Sequence, residues 1–559
     1  MTNFSVLRSF TSYSFTIIAT IKYFCFSLIF FTTFLTQTIE AQKYAIHFKD
    51  KTGTPYQFNT PLQFLSERAL ERRYKFDINL SEDDLPINPQ YIKQVEEKGA
   101  TILLSSKWLN CVLVQCETTA LIQIKELNFV DSIVFVYPHK NDVQLHEKQP
   151  IITNDKTVNK KYDPFYGNAS NQIEQINGIN LHKKGYDGEG ILIAVLDAGF
   201  RNVNTISAFS HLFESGRVLI AKDFIDLGGD IYRTDISTHG TSVLSCMAAY
   251  LPNQMVGTAP KASYCLFRTE DVATEYLIEE YTWVIGTETA DSIGADLINS
   301  SLVYTTFDEP TMSHKYSDMD GKTTIAAIGA RKAVEKGIFV CTSAGNDGNN
   351  TSWNKIGTPA DVASVLTVGA VQNDGKYATF SSIGPNATGE QKPNVMAQGH
   401  SSAIVNSEGQ VTIGNGTSYS TPIICGMVAC VIQASPFTKP ELLKHTIEKT
   451  SSLYTSPSYQ MGYGIPDFYK TLQSLPIIKN SKCNNILIYP NPSYNTIIVK
   501  SKHHLRKALF YDITGKLVLE KSFASYNYKI AIQELSSGIY VIHFYDDKEI
   551  IGCTTFIKQ

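Results

Sequence analysis

Four polar residues of this chain have side chains that could together catalyse an acyl transfer. They are Asp197, His239, Asn346 and Ser418, and they occur in that order along the sequence. A serine hydroxyl becomes a nucleophile when an imidazole accepts its proton, and a carboxylate can fix the tautomer of that imidazole. An asparagine amide can donate a hydrogen bond to the oxyanion that forms. The chemistry that these residue types indicate is acyl transfer.

Ser418 has the most informative surroundings of the four. It lies in the segment Gly416-Thr417-Ser418-Tyr419-Ser420-Thr421-Pro422, which is followed by a long apolar run. Because proline is tolerated only in the first turn of a helix, Pro422 predicts that Ser418 lies at or just before a helix start. Free N–H groups at such a start stabilise an anion. On its own, however, a serine here is more often a helix cap.

The other three residues also follow or precede predicted elements. Asp197 ends the apolar strand predicted over Ile191–Leu196, His239 precedes an apolar helical run, and Asn346 lies in a turn between glycines. The carboxyl end of a parallel strand is where α/β folds place their sites. Taken singly, the same residues are ordinary in a capped turn, a packed helix and a loop. The catalytic interpretation is favoured because all four residues occur in one domain and fit the same chemistry.

The elements that must position these residues alternate between strand and helix over residues 169–475. Strands are predicted over Ile191–Leu196, Gly337–Cys341 and Ser364–Val368, and helices over Glu275–Asp291 and Thr323–Glu335. This alternation predicts an α/β domain with a doubly wound, mostly parallel sheet.

The chain on either side of this domain has a different pattern. Residues 42–140 predict a small α+β domain that includes a helix over residues 61–73, and residues 141–168 form a polar linker. Residues 480–559 contain six short strands separated by turn residues, which predicts a β-sandwich.

The middle domain resembles the subtilisin-like serine proteases. Besides the four residues above, the resemblance rests on these ordered motifs: Gly257-Thr258-Ala259-Pro260, Asn299-Ser300-Ser301-Leu302, Ser343-Ala344-Gly345-Asn346, Phe380-Ser381-Ser382-Ile383-Gly384-Pro385, Lys392-Pro393-Asn394-Val395 and Gly462-Tyr463-Gly464. The order Asp, His, Ser is one in which the catalytic triad occurs.

The resemblance implies a role for each matching residue. Ser418 would be the nucleophile, His239 the general base, and Asp197 the group that orients the imidazole. Asn346 and the Ser418 backbone N–H would hold the oxyanion. The substrate-binding residues would be Ser300, Ser301 and Leu302, which form an extended rim, and Gly345.

Three positions depart from the pattern of the family. Val303 and Tyr304 stand where glycines usually follow the rim, so we expect a narrowed pocket. Asn394 replaces an aspartate, and Tyr419 follows the nucleophile where many relatives have an oxidisable methionine.

The flanking domains also resemble known modules. By position and pattern, residues 42–140 resemble the inhibitory pro-domain of these proteases, and a permanent N-terminal domain is the alternative. The C-terminal sandwich resembles the sorting domain of the type IX secretion system, on the motifs Tyr489-Pro490-Asn491-Pro492, Ile513-Thr514-Gly515 and Leu535–Tyr540. A carbohydrate- or protein-binding sandwich is the alternative.

Composition limits the partners and the cellular location. The formal net charge of −4, with basic residues scattered over 559 positions, gives no reason to expect a nucleic-acid partner. Residues 1–41 predict a signal peptide, with an uncleaved anchor as the alternative, and no other segment is predicted to span a membrane in the mature chain. The cysteine spacings predict no zinc site and no obligatory disulfide framework.

No cofactor is expected for catalysis. Asp223, Asp226, Asp230 and Asp235 offer the oxygen ligands that calcium prefers, whereas solvated loop charges are the more ordinary explanation, so we assign no calcium site.

The sequence therefore predicts a serine endopeptidase that acts on proteins or peptides and is made as a pre-pro-enzyme. Its partners would be its own pro-domain and the type IX machinery, and it would reach the cell surface or medium through the periplasm of a Gram-negative cell. The alternative is a catalytically weak fold that serves as a surface binding or self-processing module.

Overall fold

The computed structural model describes residues 41–138, 163–475, 486–501, 504–523, 528–547 and 550–559. The predicted signal peptide therefore lies outside the described residues except for Ala41. The predicted linker is described only from Asp163 onward.

The N-terminal domain is a four-stranded antiparallel sheet covered by helices, in the strand order β2-β3-β1-β4. Its strands are β1 Gln42–Phe48, β2 Thr101–Ser106, β3 Cys111–Cys116 and β4 Val130–Tyr137. Its helices are α1 Glu67–Phe76, α2 Pro89–Glu97 and α3 Thr118–Lys125. The predicted α+β class is confirmed for this domain.

The first helix begins later than the predicted residue 61. Only Pro61–Gln63 form a short 3₁₀ turn, and α1 starts at Glu67 because the Ser66 hydroxyl accepts a hydrogen bond from Ala69 N at 3.1 Å. Asp77, in the left-handed conformation with φ 60°, ends the helix. The cap at Ser66 thus determines where this helix begins.

The middle domain contains a sheet of seven parallel strands in the order β13-β12-β11-β10-β5-β9-β6. Its strands are β5 Leu192–Asp197, β6 Val218–Asp223, β9 Ser263–Arg268, β10 Leu297–Ser300, β11 Phe339–Ser343, β12 Leu366–Val371 and β13 Val395–Gln398. Two hairpins accompany the sheet, β7 Tyr250–Leu251 with β8 Met255–Val256 and β14 Ser402–Val405 with β15 Val411–Gly414. The predicted parallel sheet is confirmed.

Helices cover both faces of this sheet. They are α4 Ser170–Glu174, α5 Ile179–His182, α6 Ser210–Glu214, α7 His239–Ala248, α8 Ile278–Ile293, α9 Ile325–Glu335, α10 Thr417–Ala434, α11 Pro440–Lys449 and α12 Phe468–Ser474. Alternate residues of β5 point to opposite faces: Ile193 and Val195 pack with α7 and α10, whereas Leu192 and Ala194 pack with α8 and α9. Two apolar layers therefore enclose the sheet, as a central parallel strand requires.

Helix α10 is a core helix. Within the part of the chain that the structure describes, it alone is long and apolar enough to cross a bilayer, and 89% of it is buried inside the protein. Its apolar side chains fill the core beneath the sheet.

The C-terminal domain packs two antiparallel sheets around one apolar core, in the strand orders β16-β17-β20 and β19-β18-β21-β22. Its strands are β16 Ile486–Tyr489, β17 Thr496–Ser501, β18 Lys507–Asp512, β19 Leu517–Ser522, β20 Lys529–Ala531, β21 Gly538–Tyr545 and β22 Ile550–Lys558. The sequence reading identified all of these strands except β22, which completes the second sheet by pairing with β21.

One cysteine departs from the expectation of no disulfide framework. Cys553, in β22, is disulfide-bonded. Seven cysteines of the two preceding domains are free and buried, as small core residues would be.

The N-terminal domain docks its sheet against α8 of the middle domain. Trp108, Leu113 and Val136 share one apolar core with Tyr281 and Val284. Glu288 of α8 accepts hydrogen bonds from the backbone N–H groups of Lys107 and Trp108, in the turn between β2 and β3, at 2.9 and 3.0 Å. The contact is therefore both apolar and directional.

A buried ionic network joins the same two domains. Asp291, near the end of α8, binds Arg72 and Arg73 of α1, the latter at 2.8 Å, and Arg73 also binds Asp84 at 2.6 Å. Burial alone would raise the pKa of Asp291, but the two guanidinium groups outweigh it and lower that pKa. Asp291 therefore stays ionised at this interface.

Candidate active site

The parallel sheet brings the ends of three neighbouring strands to one edge. Asp197 is the last residue of β5, and the flanking strands β10 and β9 end at Ser300 and Arg268. Because all three run in the same direction, their polar ends lie side by side. His239 is the first residue of α7 and Thr417 is the first residue of α10, and these two helices pack on the same face.

Asp197 and His239 are in direct contact. His239 Nδ1 lies 2.8 Å from Asp197 Oδ1, and this carboxylate is fully buried. Burial would lower the pKa of His239, but the charge and hydrogen bond of Asp197, assisted by Glu270, raise it above its ordinary value. The imidazole is thus oriented by Asp197 and stabilised when it carries a proton.

The close approach of α7 to β5 requires glycine at position 240. A Cβ atom on Gly240 would lie 2.4 Å from Gly199 O and 3.0 Å from Asp197 Cβ. Only a residue without a side chain allows His239 to approach the carboxylate so closely.

Ser418 lies in the first turn of α10, is 7% exposed and is reciprocally bonded to the rim segment. Its Oγ donates to Ser301 O at 3.4 Å, while Ser301 Oγ donates to Ser418 O at 3.0 Å. The Ser418 N–H belongs to the helix start, where N–H groups lack intrahelical acceptors. The hydroxyl and an anion-binding backbone group are therefore on one residue.

The side chain of Asn346 is held against this helix start through its amide oxygen. Its Oδ1 accepts hydrogen bonds from Thr417 N at 2.9 Å and Thr417 Oγ1 at 3.0 Å. A Cβ on Gly416 would lie 3.7 Å from Asn346 Nδ2 and 3.8 Å from Ser418 Cβ. Thr417 was not among the residues predicted from the sequence, and its position next to Ser418 is the signal that could have indicated it.

The predicted substrate-binding residues differ in how they face the cleft. Ser300 is fully buried and its Oγ accepts a hydrogen bond from Trp283 Nε1 at 2.9 Å, whereas Ser301 contacts Ser418 directly. Leu302 is also buried. Of these side chains, that of Ser301 is the one in contact with Ser418.

Val303, one of the positions expected to narrow the pocket, lies beside Gly345. Gly345 has φ +103°, and a Cβ there would lie 2.8 Å from Ser382 Oγ and 3.7 Å from Val303 Cγ1. The Val303 side chain thus occupies space beside Gly345. Tyr304 is fully buried, and its backbone pairs with Thr358.

The other two departures from the family pattern are also accommodated. Tyr419 is buried, and its ring centroid lies 6.3 Å from that of His239. Asn394 Oδ1 accepts from Thr367 N at 2.8 Å, and Nδ2 donates to Glu448 Oε1 at 2.8 Å, a bond that an aspartate would not make.

Three of the four carboxylates in the acidic segment before His239 are paired with arginines. Asp223 is bonded to Arg268 at 3.0 Å, and Arg233 lies 2.8 Å from Asp226 and 3.0 Å from Asp235. Arginine groups already balance these carboxylates, and they would repel a cation. The carboxylates therefore serve as ion-pair partners in the loop.

Three family models match consecutive parts of the chain. The Subtilase family model (Peptidase S8) matches residues 188–464, the Peptidase S8 propeptide domain of Bacteroidota matches residues 43–156, and a secretion system C-terminal sorting domain matches residues 487–558. A subtilisin of Bacillus pumilus is 31% identical over 296 residues, which are 52% of this chain and 94% of that protein. The chain belongs to the subtilase family.

Other relatives cover more of this subtilase. Subtilisin NAT of Bacillus subtilis subsp. natto is 29% identical over 374 residues, which are 66% of this chain and 83% of that protein. The crystal structure of MycP1 from Mycobacterium smegmatis has a TM-score of 0.45 and 21% identity, covering 59% of this chain and 90% of that one.

These similarities show that the subtilase is a secreted serine endopeptidase made as a zymogen. The predicted subtilisin-like serine endopeptidase is thus confirmed. Subtilisins need no cofactor for catalysis. The type IX sorting domain indicates secretion and localisation at the cell surface.

Proposed function

We propose that Asp197, His239 and Ser418 form the catalytic triad of this protease and that Asn346 completes the oxyanion hole. The observation that carries the proposal is the 2.8 Å contact between His239 Nδ1 and Asp197 Oδ1 at the sheet edge where α10 presents Ser418. It leaves Nε2 as the nitrogen that can accept the serine proton.

In the proposed reaction, the hydrogen bond from Ser418 Oγ to Ser301 O breaks, and this Oγ attacks the carbonyl carbon of the scissile bond. His239 Nε2 takes the hydroxyl proton and then donates it to the leaving amine as the C–N bond breaks. The Ser418 N–H and Asn346 Nδ2 hold the oxygen of the tetrahedral intermediate. Water then attacks the acyl-enzyme with the same proton transfers and frees Ser418.

Asn346→Ala is expected to lower kcat by about 10²–10³-fold with a small change in KM, because the lost donor acts on charge that develops in the transition state. Steady-state hydrolysis of a chromogenic peptide measures both constants. Asn349→Ala, on the exposed part of the same loop, is the matched control and should behave like the wild type. An equal loss in both variants would argue for a general disturbance of the loop.

We also propose that residues 42–140 are an inhibitory pro-domain that is removed by cleavage within residues 141–168. Tyr166 is buried in the core of the middle domain, which supports a cut before Asp163. N-terminal sequencing of the secreted protein tests this. A mature chain that begins at or near residue 42 would instead mean a permanent domain.

Asp291→Asn is expected to weaken binding of the cleaved pro-domain about 10²–10³-fold, because removing one partner of a buried ionic network costs about 3–5 kcal/mol. The mature enzyme should tolerate the change, since a negative charge near the end of α8 opposes the helix dipole. The affinity of the pro-domain for the enzyme is measured by diluting the processed complex and following the peptide hydrolysis that appears as the pro-domain dissociates. Glu335→Gln, which loses only an exposed pair with Arg331, is the control. Equal affinities for the two variants would contradict a binding role for Asp291.

We propose further that residues 480–559 direct passage through the periplasm to the type IX machinery after removal of residues 1–41. Two observations support this proposal: the β-sandwich is completed by β22, which pairs with β21, and the sorting-domain model matches residues 487–558. Deletion of residues 480–559 should leave enzyme in the periplasm of the native host. Normal release of the truncated protein would contradict the route.

A further inference from the structure

A second group of charged residues lies beside His239 at the same edge of the sheet. Thr269 N donates to Asp197 O at 3.0 Å, so the chain leaves β9 next to the buried carboxylate, and Glu270 is the next residue. The charge of Glu270 contributes to the raised pKa of His239. The segment that begins at Glu270 therefore borders the catalytic cleft.

Glu270, Glu275 and Glu279 bring three carboxylates together here. One carboxylate oxygen of each residue lies within 4.8 Å of the corresponding oxygens of the other two, and the residues are 8%, 9% and 1% exposed. Carboxylates at this separation repel one another when they are ionised, and burial increases the repulsion. A cationic ligand would relieve it.

Tyr304 provides an independent indication of a ligand. Its side chain is fully buried, and its hydroxyl has no hydrogen-bond partner among the residues that the structure describes. Tyr304 shares one apolar core with Tyr276 and Ile278, the neighbours of Glu275 and Glu279. Burial raises the pKa of its phenol, and the charges of the three glutamates raise that pKa further. A buried hydroxyl that is left unbonded beside a cluster of acceptors is suited to a polar group that arrives from outside.

The position of the pro-domain indicates which substrate residues, those before or those after the scissile bond, would lie near the three carboxylates. Strand β4 ends at Tyr137, whose ring centroid lies 4.9 Å from that of Tyr276, the neighbour of Glu275. A cavity of about 660 Å³ is lined by Lys43 and Tyr137 of the pro-domain and by Thr274 and Glu279. Since the pro-domain precedes the bond that is cut, residues beside this cavity lie on the acyl side of the cleavage site.

We propose that Glu270, Glu275 and Glu279, with the Tyr304 hydroxyl, form a subsite for a lysine or arginine side chain two to four residues before the scissile bond. An ammonium or guanidinium group can donate to several carboxylate oxygens at once and neutralise their repulsion. In the sequence, the two residues that follow Pro138 are His139 and Lys140, which are basic residues of the kind that the subsite accepts. This specificity rests on Ser418 acting as the nucleophile.

The test compares peptides that differ at one residue. Lysine, glutamine or glutamate is placed at the second, third or fourth position before the cut, and kcat/KM is measured with EGTA and with added calcium. The wild type is compared with Glu275→Gln and Glu279→Gln, and with Glu275→Lys. Glu309→Gln is the matched control, because the Glu309 carboxylate only caps a turn at Thr311. Hydrolysis of casein by the same samples reports separately whether the proposed catalytic chemistry works.

The wild type and Glu309→Gln should prefer lysine about 10- to 100-fold at one of the three positions, in EGTA as in calcium. Glu275→Gln and Glu279→Gln should reduce that ratio mainly through KM, and Glu275→Lys should favour a glutamate peptide instead. Equal rates for lysine and glutamine at all three positions, with casein still hydrolysed, would overturn the proposal. A preference that appears in calcium and is absent in EGTA would also overturn it and identify a metal site.

Discussion

Ser418→Ala is expected to lower kcat by about 10⁶-fold, leaving only the residual acceleration that substrate binding and the oxyanion hole supply. The reason is that the covalent route disappears with the hydroxyl, while Asp197 and His239 remain in contact. In the full chain the variant should also keep its pro-domain uncut when cleavage is intramolecular. Chromogenic peptide hydrolysis and the mass of the secreted chain measure the two effects.

Ser420→Ala is the matched control for this substitution. Ser420 lies in the same turn of α10, and its hydroxyl only donates to Thr417 O at 3.0 Å. It should retain most of the activity. Comparable losses in the two variants would show that the helix start, and not the Ser418 hydroxyl, is what the substitution affects.

Asp197→Asn is expected to lower kcat by about 10⁴-fold, because an amide in place of the carboxylate favours the wrong tautomer of His239 and does not stabilise the imidazolium. The side chains are nearly the same size, so the fold should persist. Asp235→Asn, at an exposed loop carboxylate that pairs with Arg233, is the control and should be nearly neutral.

The pH profile of kcat/KM gives this variant a signature that unfolding would not produce. The base must be neutral, so wild-type activity falls as the pH drops through the pKa of His239, which is raised above its usual value of about 6.5. Asparagine removes the charge that raises this pKa, and the acid limb should move to lower pH. An acid limb that stays at the same pH or moves to higher pH would contradict direct coupling between Asp197 and His239.

Sequence order and residue type were sufficient to propose the four central residues. Asp197 and Ser418 could be proposed because a strand end and a helix start have local signals. Pro422 itself lies in the second turn of α10 and not in the first turn, where the sequence predicted it. The roles of Thr417 and Glu270 were not predictable in the same way. Thr417 acts through Asn346, 71 residues away, and Glu270 acts through a cluster that only the path of the chain after β9 brings together.

The same distinction applies to the fold: elements determined by their own sequence were predicted, whereas those determined by contacts with distant residues were not. The strong alternation of the middle domain predicted its sheet, whereas the start of α1 depended on the choice of Ser66 as the cap. Strand β22 was missed because its place is fixed by pairing with β21, not by its own pattern. The network around Asp291 joins residues more than two hundred positions apart, which no local signal indicates.

The most direct test of Ser418 as the nucleophile is labelling of the processed enzyme with a serine-directed phosphonate, followed by mapping of the modified residue by mass spectrometry. We predict one phosphonate per active chain, carried by Ser418, and much slower labelling when His239 is replaced by alanine. Label on another serine, or no label on correctly processed enzyme, would contradict the proposed triad.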